Sequence, residues 1–90
     1  METRVIISGG PGDTIENAVV VTADSSFVGV EAEYAYVQQA CSQLGMTWKT
    51  LSQSQLTSPG GKNYDEITVI LSDGTTSNFY FAIDSFFGKL

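Results

Sequence analysis

The stretch that decides the fold is YDEITVILSDGTTSNFYFAI, residues 64–83, because it carries the pattern of two strands joined by a tight turn. Large apolar side chains alternate with polar ones before and after the turn, and this period of two is typical of half-buried β-strands. Asp73-Gly74 lies between the two runs. The sequence therefore predicts a β-hairpin.

Two turn geometries fit this hairpin, and they differ in which side chains share a face. A two-residue turn at Asp73-Gly74 places the two apolar rows on opposite faces. A three-residue loop over residues 72–74 instead pairs Ile67 with Phe79. All the large apolar side chains then share one face, with Gly74 at positive φ. Because a one-residue slip turns a whole strand over, burial selects the three-residue loop.

The helix is predicted from a stripe of residues spaced four and three apart. It begins between residues 26 and 29, ends at Leu44, and is terminated by Gly45. The stripe expected to face the core consists of Val30, Tyr34, Val37, Cys41 and Leu44.

The other elements are shorter. Further strands are predicted over residues 4–8, 18–22 and 48–56, with residues 19–21 buried on both faces. Leu51 breaks the alternation of the third of these strands, so we expect either a bulge or an exposed Leu51. Asp13 is expected to cap one helical turn, and Asp84 to cap a terminal turn that Gly88 closes.

These elements give the order β-β-α-β-β-β and a single α+β domain over residues 1–90. The last three strands should form an antiparallel meander, since their connections are too short for crossovers. The helix should cover the apolar face of the hairpin. The position of the first two strands in the sheet is left open.

The charge balance disfavours several partners. The chain carries a net charge of −6, with ten carboxylates against Arg4, Lys49, Lys62 and Lys89. An acidic protein repels phosphate backbones and anionic lipid surfaces, so neither nucleic acid nor a membrane is an expected partner. With one cysteine, no apolar run long enough to span a bilayer and no signal-peptide pattern, we expect a cytoplasmic protein.

Catalytic motifs are missing from the sequence. It contains no histidine, which removes Ser-His-Asp and Cys-His nucleophile systems and nearly every type of zinc site. Cys41 lies inside the helix on the apolar stripe, where its thiol pKa should rise and core packing is its expected role. We expect no cofactor and no metal, and the sequence favours a role other than catalysis.

Two further features of the sequence have the residue types of a functional site. The loop over residues 8–14 is rich in glycine, as phosphate-binding loops are, but it lacks their lysine and places Asp13 and Glu16 where a phosphate would sit. It is therefore interpreted as a connection between strands. The pairs Glu31/Glu33 and Asp65/Glu66 point in different directions within their own elements, so all four are expected at the solvated surface.

Aromatic residues offer a possible interface. Adjacent Phe86 and Phe87 point about 100° apart in a helical turn, so one ring lies at the core and the other crosses its edge, or both form a self-association surface. The possible interface residues are Phe86, Phe87, Trp48, Tyr36 and Tyr80.

We therefore expect a protein–protein interaction module, with a homodimer as one option. A first alternative is a small-molecule-binding or enzyme-accessory domain, with a pocket between helix and sheet near Tyr34, Tyr36 and Trp48. A second alternative is an acidic decoy of a nucleic-acid-binding surface, which the net charge allows.

Overall fold

A five-stranded sheet with one helix on one face is formed by residues 5–88, the part of the chain that the computed structural model describes. The elements in chain order are β1 (Val5–Gly9), β2 (Val19–Ala23), α1 (Ser26–Gln43), β3 (Trp48–Thr57), β4 (Asn63–Leu71) and β5 (Thr76–Ala82). The predicted element order and the α+β class are confirmed. The molecule is 20 Å thick along its shortest axis, which matches one sheet layer and one helix layer.

The strand order across the sheet is β1-β2-β5-β4-β3. Strands β3, β4 and β5 form the predicted antiparallel meander. The β1–β2 hairpin joins them through β2, which lies parallel to β5. Strands β1 and β3 are consequently the two edges of the sheet, and the hairpin β4–β5 lies towards its middle.

The β4–β5 turn has the geometry that burial selected. Ile67 lies opposite Phe79 in the register of the two strands. The Leu71 N–H donates to the Thr75 carbonyl over 2.8 Å, and Gly74 has a φ of +90°. A β-branched side chain at that φ would be strained, which explains why glycine closes this three-residue loop.

The ends of α1 follow from capping. Ser25 lies just before the helix and its hydroxyl accepts a hydrogen bond from the Val28 N–H. At the other end, Gly45 has a φ of +71°, and the Met46 N–H donates to the Cys41 carbonyl, as in a Schellman motif. Within residues 5–88, no helix has the length and apolar character needed to cross a membrane.

The buried stripe of α1 differs in part from the predicted one. Val37 and Cys41 are buried as expected, but Leu44, which lies at the C-cap just beyond the last helical residue, is 64% exposed. The stripe is shifted towards the N-terminus and begins at Gly29. A side chain at Gly29 would collide with the ring of Phe86, so this glycine lets the terminal turn pack against the helix.

The core lies between α1 and the inward-facing residues of β2, β4 and β5. Phe81 and Ile67 are fully buried at its centre, and the Tyr36 ring packs edge-to-face against Phe81 at 5.8 Å between centroids. The other buried members of this cluster are Val19, Val21, Ala23, Val37, Cys41, Val69, Leu71, Ile83 and Phe86.

Smaller predictions had mixed outcomes. A register shift in β3 leaves Leu51 57% exposed, as expected of a bulge. Burial of residues 19–21 on both faces is wrong, since Val20 is exposed on the sheet face opposite the helix.

Thr14, rather than Asp13, accepts the nearby Asn17 N–H, in a turn without helix. The first residue of the predicted strand 4–8 lies outside the described residues.

Asp84 takes a different role from the predicted cap. Its carboxylate accepts hydrogen bonds from the backbone and side-chain nitrogens of Asn63 at 3.0 and 3.1 Å. These bonds connect the segment that follows β5 to the first residue of β4. Gly88 has the expected positive φ, of +74°.

Replacing Phe81 with alanine should lower the free energy of unfolding by about 3–5 kcal/mol, because the change opens a cavity in a fully buried site. Urea denaturation monitored by circular dichroism measures the loss. Phe27→Ala is the matched control, since Phe27 is 71% exposed on α1 and its truncation should change stability little. Equal losses for the two variants would place Phe81 outside the core.

Candidate functional site

Two carboxyl groups from different elements meet inside the protein. Glu33 lies on the buried stripe of α1, one turn after Gly29, and is fully buried. Asp65 lies near the start of β4, between Gln55 of β3 and Phe81 of β5 in the sheet register. It is 1% exposed. The helix and the sheet thus bring two acids together in the interior.

These acids share a proton. Apart from the two acids themselves, no group among residues 5–88 donates a hydrogen bond to either oxygen of Glu33 or to the Oδ1 of Asp65, and two unpartnered buried charges would be costly. Burial first, and then hydrogen bonding to Asp65 and its negative charge, raise the pKa of Glu33 to about 10. At neutral pH the Glu33 carboxyl is therefore protonated and donates a hydrogen bond to Asp65, and this donated proton is the one that the pair shares.

The expectation that all four paired acids lie at the surface is wrong for Glu33 and Asp65, and correct for Glu31, which is exposed. The sequence did contain a signal for both. Asp65 has the same strand parity as the buried Ile67, and Glu33 lies four residues before the buried Val37. Because the partner of each acid lies on another element, a comparison of each acid with its neighbour in sequence does not reveal the pair.

The acid pair is enclosed. Neither carboxyl lines the surface clefts of about 300 and 650 Å³. The described residues contain no group of three or more Asp, Glu, Cys or His side chains placed to hold a metal ion. The pair can thus form a buried hydrogen bond between α1 and the sheet, with the proton on Glu33.

Cys41 has the structural role predicted for it. Its side chain is buried in the core cluster, and burial raises the pKa of its thiol. A protonated, enclosed thiol is a poor nucleophile.

The glycine-rich loop is occupied by contacts within the protein. The Gly12 carbonyl accepts the Tyr80 N–H over 2.8 Å, and the Pro11 carbonyl accepts the Tyr36 hydroxyl over 3.0 Å. A side chain at Gly12 would press on Val19. The loop is therefore fixed between helix and sheet, which agrees with its interpretation as a connection between strands.

The five aromatic residues suggested as an interface do not form one surface. Phe86 is buried beneath α1, whereas Phe87 is 44% exposed in the terminal turn. Tyr36 is a residue of α1, and its ring packs against Phe81 of the sheet. Tyr80 lies on the opposite face of the sheet, where a hydrogen bond to Glu66 raises its pKa.

Trp48, at the start of β3, also has a partner within the chain. Its ring stacks on Tyr34 at 6.2 Å between centroids, and its Nε1–H donates to the Gln38 Oε1 over 2.8 Å. The space between helix and sheet near Tyr34 and Trp48 is thus filled by side chains. A shallow depression of about 650 Å³ lies beside α1, lined by Phe27, Val30 and Tyr34.

The two edges of the sheet differ sharply in how they meet solvent. Edge strands of monomeric proteins are usually blunted by charges, prolines or bulges. Strand β3 has Lys49, a bulge at Leu51 and a polar run after it. Strand β1, with the sequence VIISG, has neither a charge nor a proline, and Ile6 is 60% exposed.

Backbone groups of β1 are directed to its free edge. Ser85 Oγ accepts the Ala23 N–H and donates to the Val21 carbonyl at 3.2 and 3.0 Å. The polar groups of Ala23 and Val21 therefore point away from β1. Because Val5 and Ile7 lie opposite them, those two are the non-hydrogen-bonded positions of this antiparallel ladder. Their own N–H and C=O groups face outward.

Comparison with protein-family models, with curated proteins and with solved structures gave no match. The function is accordingly argued from the residues of this chain alone.

The shared proton predicts an unusual pH dependence. Between the ordinary pKa of 4.5 and the raised value of about 10, native Glu33 keeps a proton that the unfolded chain has lost. The contribution of Glu33 to the free energy of unfolding is complete below the ordinary pKa. It is lost as pH rises towards the raised pKa, by at most about 1.4 kcal/mol per pH unit.

Glu33→Gln should remove that dependence, since an amide can donate to Asp65 without titrating. Its free energy of unfolding relative to wild type should therefore increase steadily with pH, as measured by urea denaturation at several pH values. Glu31→Gln, on the exposed face of the same helix, is the matched control and should show no such trend. Parallel pH profiles for wild type and Glu33→Gln would contradict the shared proton.

Proposed function

We propose that this domain is a protein-interaction module that takes up an extended strand at the β1 edge. The observation that carries the proposal is the contrast between its two edges: β3 is polar and bulged, while β1 is apolar and regular. Strand addition to an exposed sheet edge is a recurring mode of recognition, in which main-chain hydrogen bonds supply affinity and side-chain contacts supply specificity.

The groups needed for such docking are in place on β1. Val5 and Ile7 offer backbone N–H and C=O groups to an incoming strand, as their register against β2 indicates. Their side chains lie on the helix face of the sheet, while the Ile6 side chain lies on the open face. An added strand would therefore find apolar contacts on both faces.

The acidic-decoy alternative receives less support from the positions of the acids. Two of the ten carboxylates, Glu33 and Asp65, are buried, and the raised pKa of Glu33 keeps it protonated at neutral pH. The protein is thus about one unit less negative at neutral pH than its formal −6. Capture of basic proteins that falls steeply with salt, and that ignores changes at β1, would favour the decoy over the strand-addition module.

Ile6→Lys tests the module. A lysine at this exposed position should block strand addition by placing a charge at the docking edge, without unfolding the domain. The matched control is Leu51→Lys, which introduces the same charge on the other edge strand at a side chain that is 57% exposed. We expect affinity capture and sedimentation to show partner binding, including self-association, with wild type and Leu51→Lys.

Ile6→Lys should lose that binding by tenfold or more, about 1.4 kcal/mol. Equal binding by all three proteins would overturn the assignment of β1 as the docking edge. Circular dichroism confirms that each variant remains folded.

A second candidate is the binding of a small apolar ligand in the depression beside α1. The favouring observation is Phe27, which is 71% exposed next to Val30 and Tyr34. A ligand that binds there should raise the thermal midpoint of wild type but not of Phe27→Ser. A screen with no stabilising compound, or equal stabilisation of the two proteins, would count against this candidate.

A further inference from the structure

We propose that the strand added at β1 is the β1 strand of a second copy of this chain. The two copies are related by a two-fold axis that passes between their Ile6 side chains. This inference rests on the proposed docking edge and specifies its occupant. It follows from the backbone geometry of β1 and from the order of its side chains.

The outward-facing backbone groups fix the alignment of two antiparallel β1 strands. Within β1 as the structure describes it, Val5–Gly9, the positions whose N–H and C=O groups face away from β2 are Val5, Ile7 and Gly9. In an antiparallel pair, directly opposed residues that both face the partner exchange two hydrogen bonds. Placing Val5 of each copy opposite Ile7 of the other gives hydrogen-bond partners to the outward-facing N–H and C=O groups of both residues in both copies. It also brings the two Ile6 residues face to face.

The neighbouring register that moves the contact towards Gly9 is less favourable. Shifting the second strand by two residues would place Ile7 opposite Ile7 and Val5 opposite Gly9. However, Gly9 has a φ of +83°, which departs from the extended conformation that a continued ladder requires. In that register Ile6 would also lie opposite Ser8 and lose an apolar contact.

The side chains of β1 complement themselves in the proposed register. Ile6 faces Ile6 on the open face of the sheet, at a non-hydrogen-bonded pair, where opposed side chains approach most closely. Val5 faces Ile7 on the helix face. No charged residue lies within Val5–Gly9, so the contact between the strands brings no like charges directly opposite one another.

The dimer would be one continuous sheet. Because a two-fold axis normal to a sheet carries each face onto itself, both copies of α1 lie on the same side, and no exposed β1 edge remains. The paired strands are only five residues long. We therefore expect an interface below the ~1,200 Å² of stable complexes, and a weak dimer whose Kd is micromolar or larger, so that it dissociates on dilution.

Salt should strengthen this dimer. Each copy carries a formal charge of −6, and screening reduces the repulsion between like-charged proteins. A basic partner of an acidic protein would show the opposite trend, so the sign of the salt effect separates the two.

Disulfide crosslinking tests the register. In Ile6→Cys, the Cα atoms of the two new cysteines would be about 4.5 Å apart, within the range that a disulfide bridges. In Ile7→Cys, the two cysteines would be diagonal neighbours, with their Cα atoms farther apart than the roughly 7 Å that a disulfide can span. Wild type is the background control, because its single cysteine, Cys41, is buried.

Under mild oxidation in moderate salt, Ile6→Cys should form a covalent dimer at least about tenfold faster than Ile7→Cys. Faster crosslinking of Ile7→Cys would overturn the register. Wild type that sediments as a monomer at millimolar concentration, with neither variant crosslinking above background, would overturn the second copy as occupant. The strand-addition module would survive that result if another protein still binds wild type and Leu51→Lys but not Ile6→Lys.

Discussion

A single helix has to cover a sheet of five strands, and this mismatch of widths shapes the whole molecule. Five strands spaced about 4.8 Å apart span roughly 19 Å, whereas a helix with its side chains is about 10–12 Å wide. The helix shields the middle of the sheet, where Phe81 and Ile67 are fully buried. The open face and both edges meet solvent, which explains why Val20 is exposed although it lies in an apolar strand.

The two edges respond to this exposure in opposite ways. Strand β3 presents polar side chains and a bulge, the usual defences against unwanted pairing. Strand β1 keeps the apolar sequence that would suit a strand in the interior of a sheet. If a further strand pairs with β1 in the functional complex, β1 becomes an interior strand, for which an apolar sequence is typical.

The buried acids show a second constraint on the helix. Replacing a buried polar pair with apolar residues of similar volume is often neutral or stabilising, so Glu33 and Asp65 are weak contributors to stability. What their shared proton requires is proximity, since moving α1 along or away from β4 would leave a carboxyl without its partner. The pair therefore favours one position of the helix over others that would bury similar apolar area.

Features set by local sequence could be predicted, and features set by distant contacts could not. The register of the β4–β5 hairpin, the positive φ of Gly74 and the helix stop at Gly45 each depend on a few neighbouring residues. The parallel pairing of β2 with β5 depends on how the helix returns the chain to the sheet. Likewise, the meeting of Glu33 with Asp65 depends on how α1 packs on β4, which the pattern within either element does not report.

Amide hydrogen exchange along β1 at two protein concentrations tests the central claim most directly. In dilute solution the Val5 and Ile7 amides should exchange rapidly, because they face the free edge, while the Ile6 amide should be protected by β2. At high concentration Val5 and Ile7 should become protected, with no change along β3. Protection of Val5 and Ile7 in the dilute monomer would contradict an uncovered β1 edge, and exchange independent of concentration would contradict the pairing of that edge with a second copy.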